Sequence, residues 1–297
     1  MSLVAATTKL VSADELGAAN TAAPRLLLPD ARTVFHQRAN RLHELAKDHQ
    51  LKEWLTFCAT LSEVQNELAH QSTRAQTYSL ADLNIENWQS ENSWSDWQQV
   101  LKAMSTKFIT SEQQVLIEQL STWDKAQWQM EAQALLLANE LNYPETAPFI
   151  AAALQLEWTI KASQAETLSQ SALPTDAPLC PVCGSHPMVS VVYTGDPIHG
   201  VRYLVCSLCN SQWYATRAKC TNCHSPKPVA LLGKSTEASV QGECCDACNS
   251  YVKLLSLLKD IHLDPCADDL ASLGLDIALS EANYNRAARN LFLAGMA

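Results

Sequence analysis

Eight of the 11 cysteines fall into four C-x-x-C pairs within 69 residues: Cys180/Cys183, Cys206/Cys209, Cys220/Cys223 and Cys245/Cys248. Each pair puts two thiolates on one tight turn, the bite that a tetrahedral metal takes from a single knuckle. One pair could be redox-active or accidental. Four in succession constrain the chain to a fold built around two metal sites of four cysteines each.

The pairs repeat as a unit. Cys180-Pro-Val-Cys183 is followed after 22 residues by Cys206-Ser-Leu-Cys209-Asn-Ser, and Cys220-Thr-Asn-Cys223 after 21 residues by Cys245-Asp-Ala-Cys248-Asn-Ser. The shared C-x-x-C-N-S and the matched loops predict a duplicated metal ribbon. Pairing in order follows from the repeat, although spacing alone also permits an interleaved cross-brace. The residue after each second cysteine is Gly184, Asn210, His224 or Asn249. These types accept positive φ, which a knuckle needs to turn its N–H groups toward sulfur. Such a site suits iron or zinc, and all-sulfur coordination does not choose between them.

The remaining cysteines lie outside this scheme. Cys58 falls in a helical pattern and reads as a small buried hydrophobe. Cys266 has no partner in sequence, and only the repeat register selects Cys245 over its neighbour Cys244 as a ligand. His186, His199 and His224 lie near the knuckles but read as turn or surface residues, because eight cysteines already complete two sites.

The chain of 297 residues suffices for about two domains, and its hydrophobic content of 47% supports real cores. A net charge of −10 excludes a general nucleic-acid binder. Within the ribbons, Arg202, Arg217, Lys219, Lys227 and Lys234 are nearly balanced by Asp196, Glu237, Glu243 and Asp246. No apolar run approaches the roughly 20 residues of a membrane span, and the N-terminus shows no basic-then-apolar leader and no twin arginine. The expectation is a soluble cytoplasmic protein without stable membrane insertion, in a compartment where paired cysteines are ligands rather than disulfides.

Residues 1–24 read as a loose tail and 25–167 as an all-helical domain. Asp30 is placed to cap a helix bearing Phe35, Ala39 and Leu42, and a second helix carries Leu55, Cys58, Leu61 and Gln65. Ser93 opens a third with Trp94 and Trp97, and Thr110 with Gln113 forms a capping box before a stretch running toward Asn142. A further helix spans roughly Phe149 to Ala162, and the tryptophans fall on apolar stripes that face the core. Residues 168–179 read as a linker, 180–213 as the first ribbon and 214–252 as the second. Met188–Tyr193 and Val201–Val205 form a predicted hairpin, with Pro228–Gly233 as the matching strand of the second ribbon. The ribbons should have little core of their own and depend on metal. Residues 253–297 continue as helix from Leu254 onward, with Asp268 and Asp269 placed to cap the last one. The fold class is thus a multidomain α protein with small metal-bound β modules.

The runs C-P-V-C-G, C-S-L-C-N-S-Q-W-Y-A-T-R-A-K-C-T-N-C, C-D-A-C-N-S-Y-V-K and A-D-D-L-A-S-L-G-L-D together resemble the FdhE-type formate dehydrogenase accessory proteins. The opening L-L-L-P-D-A-R-T-V-F-H-Q-R-A-N-R-L-H-E-L-A is similar as well, so the likeness runs from about Leu26 to the C-terminus. Where that family has C-x-x-C-G at some knuckles this chain has Asn or His, which keeps the sulfur ligands and leaves the metal open. The resemblance implies a cytoplasmic assembly factor that binds the catalytic subunit of an exported respiratory formate dehydrogenase. It also favours iron in the two sites, with zinc possible, held by Cys180, Cys183, Cys206, Cys209, Cys220, Cys223, Cys245 and Cys248.

No catalytic residues are expected. A site with all four positions filled by sulfur leaves no coordination position for substrate, and the sequence shows neither a phosphate loop nor a nucleophile–base set. Arg202, Trp213 and Arg217 are candidate partner contacts near the ribbons, with strand packing as the other reading. A rubredoxin-like electron-transfer protein acting on a maturing partner is the alternative function. A zinc-ribbon nucleic-acid binder is disfavoured by charge.

Overall fold

The computed structural model describes residues 3–6, 23–72, 76–88, 93–108, 110–137, 140–166 and 173–295. Within them lie eight α-helices and nine β-strands. The helical part comprises α1 (Val34–Ala46), α2 (Lys52–Gln71), α3 (Ser93–Lys107), α4 (Ser111–Ser121), α5 (Lys125–Leu136) and α6 (Ala147–Ser163), with α2, α3 and α5 packed on α6, α1 on α2 and α4 on α3. In α6, 14 of its 17 residues are buried. A helix apolar on all sides belongs inside, and this one forms the axis of the helical part. Trp97 stacks on Trp128 with centroids 4.3 Å apart, and Trp158 is also buried, as the apolar stripes predict. The side chain of Trp94 lies outside the described residues.

The capping box of Thr110 and Gln113 is formed. The stretch it starts is not one helix, because a second capping box, Asp124 with Gln127, restarts the chain as α5. Asp30 does not cap α1: Thr33 is the N-cap residue, and the Asp30 carboxylate accepts from the Arg32 N–H in the preceding turn.

The strands form one sheet in the order β1-β6-β7-β8-β3-β4-β5-β2. The first ribbon supplies β3 (Pro187–Val192), β4 (Arg202–Cys206) and β5 (Gln212–Tyr214) as an antiparallel set. The second supplies β6 (Ala230–Gly233), β7 (Val240–Cys245) and β8 (Ser250–Ser256) in the same manner. The two sets join where β8 pairs in parallel with β3. A buried ion pair fastens this junction: Arg202 on β4 meets Glu243 on β7 at 2.5 Å, and the Ser190 hydroxyl on β3 donates to the same carboxylate at 2.6 Å.

The N-terminal segment closes both outer edges of the doubled sheet. β1 (Val4–Ala6) pairs with β6, and β2 (Leu26–Leu27) pairs with β5. Residues 1–24 are therefore not loose throughout, and the helical domain begins with a strand that belongs to the ribbon sheet. Residues 7–22, and residues 168–172 of the expected linker, lie outside the described residues. The linker's remainder is anchored: Asp176 pairs with Lys219, and the Ala177 carbonyl accepts from the Trp213 indole.

The helix expected from Leu254 is instead the end of strand β8. All seven residues of Ser250–Ser256 are buried, so the run lacks the alternation of a strand with one wet face. Periodicity cannot separate such a run from buried helix. Helices α7 (Pro265–Ala271) and α8 (Leu273–Glu281) follow, then β9 (Asn285–Arg286), which pairs with β8, and a 3-10 turn at Leu291–Leu293. The cap of α7 is Asp264, which accepts from the N–H groups of Cys266 and Ala267. Asp268 and Asp269 lie within α7 and make ion pairs, Asp268 with Arg41 and Asp269 with Lys253 and Arg286, and the Asp268 carboxylate also accepts from the Asp264 N–H at the cap.

One apolar core unites the helices, the first ribbon and α7. Apart from Leu255 of β8, which joins that core, the second ribbon holds small satellite clusters, one around Tyr251 and Leu279 and one around Val229. The expectation of ribbons with little core thus describes the second and not the first. Among the described residues, no helix is long and apolar enough to cross a membrane.

Candidate metal centres

The four knuckles converge in sequence order. Cys180, Cys183, Cys206 and Cys209 form one group and Cys220, Cys223, Cys245 and Cys248 the other, with all sulfurs of a group within 4.8 Å of one another. The interleaved arrangement is not adopted. Tetrahedral coordination with metal–sulfur bonds of about 2.3 Å requires sulfurs about 3.8 Å apart. The closest cross-knuckle separations are 3.7 Å for Cys180–Cys209 and 3.4 Å for Cys183–Cys206. In the second group they are 3.8 Å for Cys220–Cys248 and 3.7 Å for Cys223–Cys245. All eight cysteines are free thiols rather than disulfides, so each group presents a tetrahedral all-sulfur donor set that can hold a metal ion.

The local sequence explains this convergence. Gly184, Asn210, His224 and Asn249 all have positive φ, between 49° and 78°. That turn lets the Gly184 N–H return to the Cys180 carbonyl at 2.9 Å, and the His224 N–H to that of Cys220 at 3.2 Å. In the Cys206 knuckle the N–H groups of Leu208 and Cys209 both point at the Cys206 sulfur, at 3.4 Å. The repeated C-N-S extends the match beyond the cysteines: Ser211 lies 3.2 Å from the Cys209 sulfur and Ser250 lies 3.0 Å from that of Cys248. Such contacts stabilise thiolate charge. Cys248 is held down to about 6: burial opposes this, and the Ser250 hydroxyl together with neighbouring thiols outweighs it. Burial pushes the Cys180 and Cys183 thiols well up.

The two groups differ in their surroundings. All four sulfurs of the first are buried, and the helical domain grips the knuckles. The Gln155 amide of α6 donates to the Ser207 carbonyl at 2.7 Å, between Cys206 and Cys209. Asn210 donates to the Thr159 hydroxyl at 2.8 Å and accepts from the buried Arg38 guanidinium at 2.7 Å. Arg38 also donates to Gln155 at 3.0 Å, closing the network, and the Ile85 N–H donates to the Cys183 carbonyl at 2.9 Å. In the second group Cys223 is exposed and Cys248 half-buried.

The other sequence candidates divide. Cys244 lies in an apolar cluster with Tyr251 and Leu279, and Cys245 rather than Cys244 joins the second group. Cys58 and Cys266 are buried away from both groups. His186, His199 and His224 are exposed and join neither. Of the proposed partner contacts, Arg217 is exposed. Arg202 is buried against Glu243, and Trp213 is buried with its indole N–H on Ala177, so both are packing residues of the inner strands. The gripping residues Arg38, Gln155 and Thr159 were not legible beforehand, since a buried polar residue on a helix carries no mark of its partner. The second C-N-S could have pointed to Ser211 and Ser250.

A helical domain joined to two tandem four-cysteine ribbons that share one sheet defines a two-cluster cysteine-ribbon protein. Family models match in chain order: FdhE, N-terminal, over residues 23–175; FdhE, central domain, over 179–217; and FdhE, C-terminal domain, over 218–293. The chain is 35% identical over 281 residues to a protein FdhE homolog of Haemophilus influenzae, covering 91% of this chain and 92% of that one. It is 36% identical over 292 residues to the homolog of Edwardsiella ictaluri, covering 93% of each. The crystal structure of the FdhE protein from Pseudomonas aeruginosa is similar with a TM-score of 0.77 and 31% identity, over 91% of this chain and 98% of that one. The chain belongs to the FdhE family.

Proposed function

We propose that this protein is an accessory factor for formate dehydrogenase assembly, acting in the cytoplasm on the catalytic subunit before that subunit is exported, and catalysing no reaction of its own. The observation that carries this reading is the match to all three FdhE segments in chain order, from residue 23 to residue 293. In this reading Cys180, Cys183, Cys206 and Cys209 hold one metal ion and Cys220, Cys223, Cys245 and Cys248 a second. Four sulfurs around each ion leave no open position for substrate, which supports a structural or recognition role. Iron is favoured by the family resemblance, and the same geometry accepts zinc.

Tagged protein captured from the cytoplasm of its own host, grown on formate respiration, tests the role by mass spectrometry. Enrichment of the formate dehydrogenase catalytic subunit is expected. Its absence from the captured material, under conditions where it is expressed, overturns the reading. Elemental analysis of anaerobically purified protein should give two metal equivalents per chain.

A second reading is rubredoxin-like electron transfer to a maturing partner, favoured by the exposure of Cys223 at the second group. It requires iron that cycles reversibly between Fe(II) and Fe(III). Zinc in the native protein eliminates it.

A further inference from the structure

A cleft of about 520 Å³ opens where the loop between α5 and α6 meets the C-terminal segment, lined on one side by Glu140, Leu141 and Pro144 and on the other by Arg286, Arg289 and Leu293. Its polar groups are almost all committed. Arg286 donates to both carboxylate oxygens of Asp269, to Asp276 and to the Ala288 carbonyl. Asn290, also in the wall, donates to Asp269 and accepts from the Phe292 N–H.

Arg289 is different. Its backbone N–H is fixed on the Pro187 carbonyl at 2.9 Å, yet its guanidinium has no hydrogen bond or ion pair among the described residues. It is half-buried, and burial pushes its pKa down with no acidic group offsetting the loss. An arginine stays charged regardless, so the protein keeps a partly desolvated cation without a counter-charge. The carboxylate on the rim, Glu140, is exposed and not in ion-pair contact with it.

The wall beside this cation is a built contact rather than an accidental gap. Gly295 has φ +83°, and a Cβ there would clash with the Pro144 carbonyl oxygen. Only glycine lets the C-terminal segment close onto the helical domain at this point. The rest of the lining, from Leu141, Pro144, Leu293 and Ala294, is apolar. The cleft is also too large for a lone small anion, and is in the range that holds several ligand groups.

We propose that this cleft is a docking site for an acidic peptide segment of a protein partner, in which one Asp or Glu carboxylate takes the Arg289 guanidinium and adjoining apolar side chains lie on Leu141, Pro144 and Leu293. The carboxylate would complete a bidentate pair with Arg289, whose whole fork is uncommitted, whereas Arg286 already holds Asp269 and Asp276. The apolar walls would supply the remainder of the binding energy.

The test is a side-chain ¹⁵N NMR titration of the full-length, metal-loaded protein, following the Arg289 Nε–H resonance assigned with Arg289→Lys. The probe is the peptide acetyl-Ala-Leu-Glu-Leu-Ala-amide, with the same peptide carrying Gln in place of Glu as control. The acidic peptide is expected to shift the resonance saturably and to bind at least tenfold more tightly than the Gln control. Arg289→Gln should remove that preference. Absence of a shift, or equal affinity for the two peptides, overturns the proposal, and the affinity comparison needs no variant to fold. Sodium acetate giving the same shift at the same concentration as the acidic peptide overturns it as well, in favour of a small-anion site.

Discussion

The two cysteine groups have nearly the same ligands, spacing and knuckle turns, yet they occupy opposite situations. The first is buried and bonded to α1 and α6 through Arg38, Asn210, Gln155 and Thr159. The second sits beside a small satellite cluster around Val229 and leaves Cys223 in solvent. The same pattern stands twice in the chain, and the helical domain encloses one of the two. The first centre is therefore part of the global fold, whereas the second is a local module. Metal loss should have global consequences in one case and local ones in the other.

The largest expected effect breaks the comparison at its root. Cys206→Ser should remove one metal equivalent and take the central core with it, since metal in such sites contributes on the order of 10 kcal/mol. Cys245→Ser should also remove one equivalent but leave α1 to α6 folded. Hydrogen exchange on both variants, with metal analysis, measures the contrast. Protection of α6 equal in the two would show that the first site is not integral to the core. A kinetic form of the same contrast needs no mutation. Under excess chelator the protein should release its metal in two phases, with the second group first because Cys223 and Cys248 are accessible. A single phase for both equivalents would remove the distinction.

The second ribbon has one strong anchor of its own, a buried ion network. Lys253 on β8 is fully buried and meets Asp269 at 3.1 Å and Asp276 at 2.5 Å, and Arg286 clasps Asp269 from the other side. Asp269→Ala would leave Lys253 and Arg286 to share Asp276, with one buried positive charge uncompensated, and should cost about 3–5 kcal/mol. Denaturant melts of the metal-loaded protein check this, and a loss below 1 kcal/mol would contradict the network's role. The network also sets an acid limit. Burial raises the Asp269 pKa, but Lys253 and Arg286 outweigh it and hold the group below its ordinary value of about 4. Its stabilisation is therefore complete above the unfolded pKa and lost as pH falls through the lower folded one. The Asp269→Ala variant should accordingly show a shallower loss of stability than the parent below about pH 4.

This anchoring explains what the sequence did and did not disclose. The cysteine pairs were legible because metal chemistry fixes both residue type and spacing, and the positive-φ residues because few side chains tolerate that turn. Strand β8 was not, since Tyr251, Val252, Leu254 and Leu255 are buried on both faces and a doubly covered strand loses its alternation. Asp268 and Asp269 resembled caps because acidic residues early in a helix usually are. Their partners Arg41, Lys253 and Arg286 are brought to them by tertiary structure, from as far as 227 residues away in the case of Arg41. The joining of the ribbons through β8 and β3 was equally hidden, because a parallel pairing between two repeats leaves no local signature.

The smallest expected effect isolates the asymmetry most cleanly. Asn210 and Asn249 occupy the same place in the two repeats, both at positive φ. Glycine adopts that conformation without strain, so replacement by Gly preserves the turn and removes only the side chain. At Asn249 the side chain is exposed, and the change should stay within about 0.5 kcal/mol. At Asn210 the same change takes an acceptor from the buried Arg38 and a donor from Thr159, at a cost of about 1–3 kcal/mol. Chemical denaturation of the two variants side by side measures the difference, which comes from the helical domain's grip because the knuckle geometry is common to both. Equal losses would mean that this grip adds nothing, and that burial alone distinguishes the first centre from the second.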